Sequence, residues 1–293
     1  APAQRNRGTV MLEGRIAYLN ARLLDPETGL DQTGALLVED GLIADFGAHL
    51  FRTGAPSVNE VIDCQGKCLA PGLIDVRVQL REPGEEHKET LASASLAASH
   101  GGITTLVQLP NTNPVIDDVP VLEFVARRSR ELKRTKIYCY GALTKGLEGR
   151  EISEIGLLSE AGAVAFTDGE RALADAKVMR RAMSYGKAFD ALIVQHPEEP
   201  SLAGSGVMNN GELASKLGLS GIPPVAEVIM IERDLRLLEG TGGRLHFAHV
   251  TTAAAIETIR KAKAAGMNVT CDTAPHYFAL NELAIGDYRT FAK

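Results

Sequence analysis

Asp75, Arg77, Gln79 and Arg81 alternate with Ile74, Val76, Val78 and Leu80. In an extended strand this alternation puts four polar side chains on one face and four apolar ones on the other. A parallel strand covered on both faces normally reads as a continuous apolar run, so the polar face predicts a wet or ion-paired interior rather than a solvent-facing edge. Three further groups follow later apolar runs: Asp168 after 163–167, His196 after 191–195, and His249 at the end of 245–249. Taken singly, each reads most plainly as a buried, hydrogen-bonded side chain. Taken together, at the ends of successive strands, they could hold a hydrolytic metal, which lowers the pKa of bound water and polarises a carbonyl. His246 lies three residues before His249 on the opposite parity and reads as structural, while His49, His87 and His100 read as solvated.

Ends of strands carry chemistry only if the strands share a sheet. Residues 15–24 and 34–46, the latter interrupted by Asp40-Gly41 as a hairpin turn, and 61–69 predict a small β unit. From Leu73 onward, short apolar runs at 74–80, 104–109, 136–142, 163–167, 191–195, 245–249 and 268–272 alternate with helical patterns. The helices are expected at 88–100, 119–132, 172–185, 225–239 and 252–265. Repeated βα units in one direction predict a parallel sheet, with a (β/α)8 barrel as its natural closure. An open doubly wound sheet competes less well, because no Gly-x-Gly-x-x-Gly loop follows the first strand. The expected division is 1–70 for the β domain and 71–293 for the barrel. Seven strands precede Lys293, and a barrel short of a strand would carry raw edges, so a barrel truncated before its last strand is expected.

Composition narrows the function classes. The chain has 293 residues, 45% of them hydrophobic and 23% charged, enough to bury a full core. Its net charge of −6 argues against a nucleic-acid-binding face built on bulk positive charge. No run of 18 apolar residues suggests a membrane span, and the first residues lack the apolar stretch of a secretory signal. Four cysteines, with only one close pair at Cys64 and Cys68, fit neither a disulfide framework nor a zinc ribbon, so reduced thiols and a cytoplasmic setting are expected.

The segment Pro71-Gly-Leu-Ile-Asp-Val-Arg-Val-Gln-Leu-Arg-Glu-Pro-Gly84 resembles the dihydroorotase signature of the amidohydrolase superfamily. Similar matches follow in the family's order: Gly101-Gly-Ile-Thr-Thr, Leu109-Pro-Asn-Thr-Asn-Pro114, Ala165-Phe-Thr-Asp-Gly169, Asn209-Asn-Gly211, Leu217-Gly-Leu-Ser-Gly-Ile-Pro223, His246-Phe-Ala-His-Val-Thr-Thr252 and Thr273-Ala-Pro-His276. The resemblance implies an α/β (β/α)8 TIM barrel of the amidohydrolase type, preceded by a small β-sandwich unit that C-terminal strands complete. It implies metal ligands at Asp168, His196 and His249, a substrate carboxylate held by Arg81, and a hydrogen bond from Asn111.

The departures are as informative as the matches. The family's His-x-His, two metal ligands on the first strand, is replaced here by Arg77 and Gln79, and its final Asp, a ligand and general base, falls beyond Lys293. Arginine stays protonated and offers no lone pair, and glutamine is a weak zinc ligand. The family's Asp-Asp-Gly is Asp168-Gly169, and its Asp-His-Cys-Glu is Gln195-His196-Pro197-Glu198. The expectation is a catalytically impaired, metal-free homologue, with Arg77 neutralising Asp168 where a cation once sat. By the family analogy it would be an oligomeric structural partner of aspartate transcarbamoylase in pyrimidine biosynthesis. The alternative is an active dihydroorotase or cyclic amidohydrolase with at most one zinc ion, on Asp168, His196 and His249. A third reading keeps Arg81 and Asn111 to bind a small anionic ligand without turnover.

Overall fold

The computed structural model describes residues 14–54, 57–286 and 288–289. These fall into two compact units, Ala1–Leu73 and Ile74–Lys293.

The described part of the first unit is a five-stranded sheet. Strands β1 (Arg15–Asp25), β2 (Leu30–Glu39), β3 (Leu42–Gly47) and β4 (Glu60–Asp63) run in the order β3-β2-β1-β4, and β5 (Cys68–Leu69) also pairs with β1. Asp40 and Gly41 join β2 to β3 with φ of 49° and 78°, the left-handed pair that a two-residue hairpin turn requires. The single strand expected at 61–69 is split in two. At the break, Cys64 and Gly66 donate to the carbonyls of Leu19 and Asn20, where β1 itself bulges.

In the second unit the seven predicted strands all form. They are β6 (Leu73–Val78), β7 (Ile103–Gln108), β8 (Lys136–Ala142), β9 (Ala165–Thr167), β10 (Leu192–Gln195) and, after the short β11 (Met208–Asn209) and β12 (Gly221–Ile222), β13 (Arg244–Phe247) and β14 (Val269–Cys271). Their order is β6-β7-β8-β9-β10-β13-β14, with every pairing from β7 to β14 parallel. The pair β11 and β12 forms a separate small ribbon that the sequence reading did not anticipate, since two-residue strands carry no periodicity.

Between and after the strands lie helices α1 (Leu91–His100), α2 (Val119–Leu132), α3 (Ile155–Ala161), α4 (Ala176–Gly186), α5 (Pro200–Ala203), α6 (Glu212–Leu217), α7 (Val225–Thr241), α8 (Ala253–Ala264) and α9 (Pro275–Ala279). Caps set their ends. Thr90 and Ser93 form a capping box that starts α1 at Leu91 rather than Lys88, and the Asp175 cap starts α4 at Ala176, four residues after the apolar pattern begins. Gly242, at φ 69°, ends α7. Among the described residues no helix is long and apolar enough to cross a membrane.

Strand parity divides the apolar side chains into two layers. Leu106, Ile137, Phe166, Ile193, Leu245 and Phe247 pack outward against the helices, whereas Val107, Leu109, Tyr140, Ala165, Val194 and Ala248 form the inner layer. Two buried polar clamps fix helix α7 to strand ends. Asp234, fully buried, accepts from Gln195 Nε2 at 2.9 Å and pairs with Arg233 at 2.7 Å, and Gln195 and Arg233 both bond the backbone of Leu173. Glu227 accepts from the amides and hydroxyls of both Thr251 and Thr252.

Removing one partner of a buried charged cluster leaves the others without compensation. Asp234→Ala is therefore expected to lower the unfolding free energy by about 2–4 kcal/mol in a urea titration. A loss under about 1 kcal/mol, the worth of an exposed ion pair, would show that Arg233 and Gln195 rehydrate freely.

Candidate functional site

Asp75, Arg77 and Gln79 are half-buried on β6 and the turn after it, while Ile74 and Val76 on the other parity are exposed among the described residues, as the alternation requires. Arg77 donates from Nη2 to the Gly169 carbonyl at 2.8 Å, spanning from the first strand to the loop after β9. Its Nη1 is buried without a partner among the described residues. Burial works against its charge, opposed mainly by the field of Asp272.

Arg77 does not meet Asp168, contrary to the sequence expectation. Asp168 is buried and turned to Thr144, accepting the Thr144 amide at 2.8 Å and its hydroxyl at 2.5 Å. Burial raises the Asp168 pKa in spite of these bonds. The reason for the difference is local: the backbone after β8 presents an N–H and a side-chain hydroxyl from one residue, a ready-made pair of donors for both carboxylate oxygens.

His196 and His249 do lie within reach of Arg77's charge. Burial, followed by Arg77 and His249, pushes the His196 pKa down to about 4, and burial followed by Arg77 also lowers that of His249. The Nδ1 of His196 is buried and unpartnered among the described residues. His249 has φ 57°, a left-handed conformation uncommon for a side-chain-bearing residue. Its amide donates to Asp272 Oδ1 at 2.6 Å, and its ring lies 5.7 Å from that of Tyr277.

His246, read from sequence as structural, belongs to this cluster. Its Nε2 is 3.0 Å from Asp272 Oδ2 and its Nδ1 is 2.8 Å from Thr270 Oγ1. Burial alone would raise the Asp272 pKa, but the hydrogen bonds from His246 and the His249 amide carry it below the ordinary carboxylate value. Asp272 was missed, although it ends a predicted strand just as Asp168 follows one. Thr144 and Tyr140, whose hydroxyl donates to the Val76 carbonyl at 2.7 Å, carried no such signal.

Arg81 sits in the loop after β6 at φ 64° and pairs with Glu85 at 2.9 Å. Asn111 is half-buried in the loop after β7. The two loops are tied together, for Asn113 donates to the Pro83 carbonyl at 3.1 Å and Gly84 packs so closely that a Cβ there would lie 2.2 Å from the Asn113 carbonyl oxygen.

Among the described residues no group of three or more His, Cys, Asp or Glu is arranged to hold a metal ion. The donors do not fit a zinc centre as they stand. Arg77 presents a fixed positive charge to both imidazoles, and Asp168 is engaged by Thr144.

Between pH 6.5 and about 4 an unfolded chain protonates His196 while the folded chain refuses the proton. Stability is therefore expected to be full above that window and to fall as pH drops through it, by at most roughly 3 kcal/mol. Urea midpoints measured across the window should decline less steeply for His196→Asn than for the unaltered protein. Parallel profiles would show that His196 takes up its proton without resistance.

Comparison with known proteins gives a consistent family. A family model described as dihydro-orotase-like matches residues 66–255. A dihydroorotase of Pelobacter propionicus is 46% identical over 274 residues, covering 94% of this chain and 64% of that relative. One of Syntrophotalea carbinolica is 45% identical over 279 residues, covering 95% and 65%. The chain thus spans a little under two thirds of the length of these curated relatives. Among solved structures, L-hydantoinase (dihydropyrimidinase) from Arthrobacter aurescens superposes with a TM-score of 0.74 at 23% identity, over 90% of this chain and 59% of that one. Dihydropyrimidinase from Brevibacillus agri does so with 0.70 at 20% identity, over 94% and 61%. At such identities the structural likeness speaks for the barrel fold alone.

Proposed function

The chain belongs to the dihydroorotase-like family, with the amidohydrolase barrel fold, and from that premise we propose that it is a catalytically impaired member acting in pyrimidine biosynthesis. The observation that carries this reading is Arg77: a half-buried guanidinium on the first strand, anchored to Gly169, whose charge falls on His196 and His249. Ring hydrolysis or closure of a cyclic amide in this family's manner needs a metal-activated hydroxide, positive charge at the developing oxyanion and a carboxylate to move the proton. Arg77 could supply positive charge, but it cannot generate the nucleophile.

The competing reading is an active enzyme with one zinc on Asp168, His196 and His249. It requires Asp168 to leave both Thr144 donors and a dication to settle beside Arg77. Arg77→His with Gln79→His is expected to convert a protein that takes up no zinc into one that does, read by metal analysis after dialysis. Stoichiometric zinc in the unaltered intact protein, with interconversion of carbamoyl aspartate and dihydroorotate, would overturn the impaired reading.

A barrel without turnover still needs a use, and the proposed one, by family analogy, is as a cytoplasmic structural partner of aspartate transcarbamoylase. The two purified proteins are expected to co-elute on gel filtration as a species larger than either. Separate elution across the micromolar range would remove this role while leaving the family assignment intact.

A further inference from the structure

Three buried side-chain polar atoms lack a partner among the described residues: Arg77 Nη1, His196 Nδ1 and Gln108 Oε1. The last belongs to an amide whose nitrogen is already held by the Glu82 carbonyl. The other two come together at neighbouring strand ends: Arg77 reaches across to the Gly169 carbonyl just beyond β9, and His196 lies just beyond β10, the strand paired with β9. A guanidinium is made of donors only, and here one arm is answered by Gly169 while the other is not.

The surrounding groups do not supply the missing acceptor. Both oxygens of Asp272 accept hydrogen bonds elsewhere, from the His246 ring and the His249 amide. Asp168 faces Thr144. The Tyr140 hydroxyl donates to Val76. Glu170 acts on Arg77 through its field and not through a contact. An imidazole carries at least one N–H whatever its charge, and Nδ1 of His196 can present it on a side where no acceptor stands among the described residues.

A fixed cation with an unanswered N–H, beside an imidazole able to donate, attracts an anion where a set of metal ligands would attract a cation. We propose that the barrel interior binds a small oxyanion, a carboxylate group or inorganic phosphate, through Arg77 Nη1 and His196 Nδ1. This rests on the reading that Arg77 has displaced a metal, and it reverses the sign of the ligand that the position accepts. The site is distinct from Arg81, which is paired with Glu85 on the loop beyond the strand. A water molecule would satisfy the hydrogen bonds but bring no negative charge beyond the part that Asp272 already supplies.

The test is calorimetric titration of the intact protein, dialysed against chelator, with sodium phosphate and separately with sodium succinate at constant ionic strength. Saturable one-to-one binding of either is expected, and which of the two binds more tightly identifies the source of the oxyanion. Arg77→Gln should weaken it by about tenfold or more, the usual worth of a charge-assisted hydrogen bond, while Arg81→Gln should leave it in place. His196→Asn, expected to weaken binding with the guanidinium intact, serves if Arg77→Gln does not fold. Absence of saturable binding in the folded, unaltered protein overturns the proposal, as does binding that Arg81→Gln abolishes and Arg77→Gln spares. Zinc is assayed in the same protein before the chelator dialysis. No zinc and no anion binding defeats this inference alone, whereas stoichiometric zinc without anion binding defeats the impaired reading with it.

Discussion

A guanidinium keeps its charge at any pH at which a protein stays folded. Once the alternation of β6 turns Arg77 inward, the barrel must accommodate a permanent cation, and the polar groups at the strand ends are arranged around it. Gly169 supplies one carbonyl, and Asp272 lies near enough to offset part of the charge. The two imidazoles within its field are held toward neutrality. Asp168, free of any duty to balance Arg77, is bound by a threonine instead.

The fold was largely legible because its two periodicities are clean. Apolar runs such as Ala-Val-Ala-Phe-Thr and Leu-Ile-Val-Gln mark strands, and the stretches between them repeat at helical spacing. Errors fell at ends, where caps decide. Nothing in the apolar pattern says that Thr90 and Ser93 will close on each other, or that Asp175 will delay a helix. The segment between β10 and α7 was opaque for another reason. Its strands are two residues long, and hydrogen bonds such as Asn210 to Ile222 hold it rather than a periodic face.

The site was legible by position and not by pairing. Strand ends picked out Asp168, His196 and His249, and parity picked out Arg77, because both follow from backbone geometry. Which group answers which charge depends on loop conformation, which the sequence does not display. Thr144 looks like any other threonine until the turn after β8 aims its amide and hydroxyl at one carboxylate. His246 looked misplaced only because strict alternation was carried through His249. The left-handed backbone at that residue ends the strand's regularity, and the two histidines therefore need not face opposite ways.

The Glu227 clamp bears on how the two histidines are held. Four donors from two consecutive threonines hold the segment after His249 to the first turn of the longest helix. That same helix, about two turns further on, grips the strand before His196 through Asp234. The two imidazoles are thus suspended from a common beam. The residues next to each ring are anchored to one helix, although the two histidines follow different strands.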